Sequence, residues 1–124
     1  MTEEQLLDFC NAQNWSAKIE RMVVTKSGTE NFIRLKDIGI YNTIANISFE
    51  IDKSTEEITI NTISFYGGIK DGSGKTYYVH LQSDIAICDF IKKTIKTYKN
   101  VLARSAKSTI TKLQSKIERL KLFM

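Results

Sequence analysis

The 124-residue chain contains no proline, where average usage of about 5% would supply roughly six. Polyproline linkers are therefore excluded, and no proline interrupts the C-terminal segment. Cysteine is almost as scarce. Cys10 and Cys88 stand far apart, outside any CxxC or Cys/His spacing, which excludes a thiol-ligated zinc site and a disulfide framework. The pair reads as small buried hydrophobes in a reducing, cytoplasmic setting. The single histidine, His80, rules out a multi-histidine metal centre, and no Ser/His/Asp arrangement can be assembled from local spacing. No run approaches the roughly 20 consecutive apolar residues that a membrane span needs. The acidic start Met1-Thr2-Glu3-Glu4 has the wrong sign for a secretory leader. These shortages lead us to expect a cytoplasmic protein that is not an enzyme and carries neither metal nor cofactor.

What remains is ordinary globular material. Hydrophobic residues make up 42% and charged residues 26%, enough for one core and one domain and inconsistent with disorder. Ile, Lys and Asn are plentiful and Arg is scarce, a bias associated with AT-rich genomes such as those of low-GC bacteria and their phages.

Hydrophobic periodicity gives an α+β plan. Thr2 and Gln5 have capping-box spacing ahead of Leu6, Leu7, Phe9 and Cys10, so residues 3–13 read as a short helix ending near Asn14. Trp15 then plugs the core edge. Ala17 to Lys26 and Asn31 to Ile40 read as strands joined by a turn at Ser27-Gly28. Ile47, Phe49 and Ile51 alternate with polar residues, as do Ile58 and Ile60 after a polar turn at 52–55. Ile63 and Phe65 are out of phase with Ile58 and Ile60, which implies a bulge near Asn61-Thr62 or a strand buried on both faces. Tyr77, Val79 and Leu81 mark a further strand. The plan is a short N-terminal helix, an antiparallel meander of about five strands, and a long C-terminal helix, either continuous or broken near Ser105.

The segment from Phe65 to Thr76 invites comparison with a phosphate loop because it follows a strand and ends in Gly74-Lys75-Thr76. The spacing fails: the motif needs glycine five places before Gly74, where Ile69 stands, and Gly68 is one residue too early. Thr76 onward also alternates as a strand, whereas a phosphate loop opens a helix. Ile85-Ala86-Ile87-Cys88-Asp89 resembles a Walker B strand but falls within the helical pattern. A solvated hairpin connection is the simplest account of the glycines. An anion nest is the functional one, with Gly72 and Gly74 between Lys70 and Lys75 and with Tyr66 and Tyr77 nearby. Tyr41, Phe65, Tyr66, Tyr77 and Tyr78 could form a base-stacking sheet face, although no RNP signature is present.

Charge is the most informative feature. Residues 84–124 hold ten Lys/Arg against three acids, a net +7, which leaves −3 for residues 1–83. A basic helical arm on an acidic helix-plus-sheet body suits either a solvated helix face or an anionic partner gripped by Lys92, Lys96, Lys99, Arg104 and Lys107. An apolar seam continues through Ile110, Leu113, Ile117 and Leu120 at heptad spacing. If the helix is continuous it would be roughly 58 Å long, and a stripe of that length marks an oligomer interface. The expectation is a homo-oligomeric binding protein whose basic helix or Gly-rich loop contacts nucleic acid, a nucleotide ligand or an acidic protein surface. The alternative is a small inhibitor or immunity-type protein of a phage or mobile element.

Overall fold

A computed structural model describes residues 1–24, 28–67 and 74–124. The elements follow in the order α1 (Glu3–Ala12), β1 (Lys18–Val24), β2 (Gly28–Leu35), β3 (Thr43–Ile51), β4 (Ile58–Gly67), β5 (Lys75–Leu81) and α2 (Asp84–Lys121). The chain divides into two compact units, Met1–Ile91 and Lys92–Met124, with the division inside α2.

In the first unit, α1 begins at a complete capping box. The Gln5 amide donates to Thr2 Oγ1 at 3.2 Å, and the Thr2 amide donates to Gln5 Oε1 at 2.9 Å, so two helix-end donors are satisfied locally. Glu3 and Glu4 in the first turn complement the positive end of the helix dipole. Leu6 and Cys10, four residues apart and hence on one face, are both fully buried. The helix stops where Asn14 takes a left-handed conformation, φ 65°, and Trp15 then packs edge-on against Phe9 with ring centroids 6.0 Å apart.

The five strands form one antiparallel sheet in sequence order. Alternation buries Ile33 and Leu35 from β2, Ala45, Ile47 and Phe49 from β3, and Ile58, Ile60, Ile63 and Phe65 from β4. A register shift between Ile60 and Thr62 accounts for the phase change in β4: adjacent Ser48 and Phe49 on β3 pair with Thr62 and Ile60, leaving Asn61 as the extra residue. One extra residue there turns Ile63 and Phe65 back to the side that Ile58 and Ile60 already face. The β3–β4 turn is tied by Asp52, whose Oδ1 accepts from the Ser54 amide at 2.8 Å and the Ser54 hydroxyl at 2.6 Å. The Ser54 hydroxyl is the larger influence holding this carboxyl below its ordinary range.

One expectation needs correction. β2 ends at Leu35, so Ile38 and Ile40 are not strand residues. The Lys36 amide donates to the Trp15 carbonyl at 2.9 Å, and Asp37 turns left-handed at φ 52°, which ends the alternation although Ile38 is still buried. The turn expected at Ser27-Gly28 falls partly on residues 25–27, outside the described residues.

The break near Ser105 is also absent: α2 runs unbroken from Asp84 to Lys121. It contains neither Gly nor Pro, and its Ser/Thr-rich stretch bonds back onto the helix. Thr109 Oγ1 donates to the Ser105 carbonyl and Thr111 Oγ1 to that of Lys107, each at 3.0 Å. Within the first unit α2 buries Ile87 and Ile91, and within the second Thr94, Ile95 and Tyr98 are buried. From Lys107 onward every residue is exposed. No helix among the described residues is long and apolar enough to cross a membrane.

Candidate functional site

The Gly-rich region has structural reasons for two of its glycines. Gly67 closes β4 at φ 76°, and a side chain there would sit 2.7 Å from the Asn42 carbonyl oxygen. A Cβ on Gly74 would collide with the Phe65 carbonyl oxygen, so the chain entering β5 needs a residue without one. Lys75 and Thr76 then start β5, and the helix that a phosphate loop requires is replaced by a strand. Lys70 and Gly72 lie outside the described residues.

The two tyrosines assigned to the anion nest are not brought together. Tyr77 turns inward, edge-on to buried Phe65 at 6.0 Å, with Lys75 Nζ 4.9 Å from its ring centroid. Tyr66 follows inward-facing Phe65 and so points outward, about half exposed. Tyr78 and His80 are exposed on that outward face as well.

α2 carries the remaining candidates. At 100° per residue, Lys92, Lys96, Lys99 and Lys107 fall within an arc of about 80°, with Arg104 outside it. Lys112, Lys116 and Arg119, spaced i, i+4, i+7, make a second basic row together with Thr111 and Ser115. Charge counting alone did not separate this row. The seam follows the first row along the helix, with Ile110 and Ile117 in the same arc, and lies beside the second row; Ile110, Leu113, Ile117 and Leu120 are exposed by 55%, 54%, 52% and 56%. Glu118 is the only carboxylate side chain between residues 92 and 124, and it lies 4.0 Å from Lys121 Nζ.

Cys10 offers no accessible nucleophile. Cys10 is fully buried, and burial first, then the proximity of Cys88, pushes its thiol up to about 12, so the reactive thiolate is suppressed. Among the described residues, no three His, Cys, Asp or Glu side chains gather as a metal would require.

A further cluster went unnoticed in the sequence. Ser16, Ala17, Lys18, Glu20, Arg34 and Lys36 line a depression of about 380 Å³ at the β1–β2 end of the sheet. Strand alternation puts Lys18 with Glu20 on one face of β1, but only the pairing of Lys18 with Arg34 brings the cations together. No protein-family model, curated protein or solved structure matches this chain.

Proposed function

We propose that this chain is a non-enzymatic binding protein whose C-terminal helix pairs with a second copy and grips an anionic partner through its lysine rows. The observation that carries the reading is a half-exposed Ile/Leu seam that continues the face of one lysine row and lies beside a second basic row on one uninterrupted helix. Ile110 and Ile117 occupy heptad positions a, and Leu113 and Leu120 positions d. That assignment favours two parallel strands, because β-branched side chains suit the a layer and leucine the d layer.

Magnitudes make the pairing modest. Covering the exposed half of each seam side chain contributes about 1 kcal/mol, or on the order of 8 kcal/mol for the eight residues of a pair. Association costs of about 4–15 kcal/mol offset most of it. In a parallel pair Lys116 on one helix faces Lys121 on the other, which costs a few tenths of a kcal/mol per contact. An anionic partner removes that repulsion and meets twice as many cations on a pair as on one chain. Pairing and anion binding therefore reinforce one another, as linkage requires.

Nucleic-acid phosphates are the direct test case. Binding of a labelled duplex DNA, followed across a salt series, should weaken as salt rises. Replacing Lys92, Lys96, Lys99 and Lys107 by Gln should lower affinity and flatten the logarithmic salt slope by up to about four. An unchanged slope would remove this row from the contact.

A further inference from the structure

Three cations converge on the outward face of the sheet. Lys18 stands across from Arg34 in the β1–β2 register, a juxtaposition of like charges that is unfavourable by itself. Lys36, just past the end of β2, lines the same depression. Among the described residues, the only carboxylate lining it is Glu20, whose Oε1 lies 3.4 Å from Arg34 Nη1. Three positive charges against one leave an excess of two. Asp37 is not among its lining residues: it accepts a 2.7 Å hydrogen bond from the Ser16 hydroxyl and, together with Lys36, lines a neighbouring depression.

The donors are also incompletely used. Arg34 Nε is buried and has no hydrogen-bond partner among the described residues, although a guanidinium offers its N–H groups in a fixed planar fork suited to phosphate and carboxylate oxygens. Lys18 and Lys36 are both exposed and can swing their ammonium groups onto a ligand without unpacking the core. At about 380 Å³ the depression exceeds a bare oxyanion and admits a small attached group.

We infer that this depression is a binding site for a small phosphate monoester in its dianionic form. The ligand's two negative charges match the excess of two. The accessible edge of the Arg34 guanidinium, on a side chain 39% exposed, donates to one phosphate oxygen while Lys18 and Lys36 supply the opposing charge from either side. Glu20 competes with the ligand for Arg34, so a singly charged diester gains too little to displace it. The site lies in the first unit and is independent of the reading given to α2.

The test is a titration of the ¹⁵N-labelled full chain, at pH 7.5 and constant ionic strength, with methyl phosphate and with dimethyl phosphate as the singly charged control. Methyl phosphate should cause saturable amide shifts confined to residues 16–20 and 34–37, with dimethyl phosphate about tenfold weaker or worse. The double variant Lys18→Gln/Lys36→Gln should keep the dispersed spectrum of a folded chain and weaken methyl phosphate by about tenfold or more, and Glu20→Gln should tighten it. The inference is overturned if the shifts do not saturate or centre on residues 92–121. It is equally overturned if dimethyl phosphate binds as well, or if the double variant binds as tightly as the parent.

Discussion

Thr59 and Ile63 are four residues apart on β4, yet they face opposite sides of the sheet. A regular strand would put both on one face; the extra residue Asn61, which has no partner between Ser48 and Phe49 on β3, separates them. Ile63 is fully buried and Thr59 is only half-buried.

The two positions should therefore respond differently to truncation. Ile63→Ala should cost about 2–5 kcal/mol, as core truncations do. Thr59→Ala, which loses one 3.3 Å hydrogen bond from Gln82, should cost no more than about 1 kcal/mol. Urea unfolding of both variants measures the difference, and equal losses would mean that β4 runs without the bulge.

At Gly74 the requirement is steric. Gly74→Ala should lower the melting temperature because the new Cβ meets the Phe65 carbonyl oxygen. The parent chain should release no phosphate from ATP or GTP, and Lys75→Ala should change nothing in that assay. Turnover that Lys75→Ala abolishes would contradict the reading of this segment as a hairpin connection.

Cys10 makes stability depend on pH in one direction. Its folded thiol keeps the proton to about 12, against an ordinary value of 9.0 in the unfolded chain. The unfolded state thus releases the proton first, and the contribution of this group is complete below pH 9 and lost as pH rises toward 12. Unfolding free energies of the parent minus those of Cys10→Ala, measured from pH 8 upward, should fall with pH. A flat difference would show that the thiol is not desolvated.

Local signals carried much of the fold. The Thr2/Gln5 capping box, the alternation through Ile47 and Phe49, and the phase slip before Ile63 are each set by neighbours in the chain, and each gave the right element. Ile38 and Ile40 misled because they continue an apolar alternation past Leu35. The bond from the Lys36 amide to Trp15 and the left-handed Asp37 depend on tertiary partners that periodicity does not encode. The same holds for the sites. The seam at Ile110, Leu113, Ile117 and Leu120 is legible because a helix face is a local property. The separation of Tyr66 from Tyr77 needed the inward orientation of Phe65 as a reference, and the convergence of Lys18, Arg34 and Lys36 needed a pairing between residues sixteen apart.

Self-association through α2 is the central claim, and sedimentation equilibrium tests it most directly, comparing the full-length chain with a Leu113→Asn/Ile117→Asn variant over a concentration series, with and without duplex DNA. Both positions are exposed in the single chain, so the variant should fold as the parent does. The account predicts a concentration-dependent dimer for the parent that DNA strengthens, and a monomer for the variant. A parent that stays monomeric throughout, or a variant that dimerises as well as the parent, would contradict it.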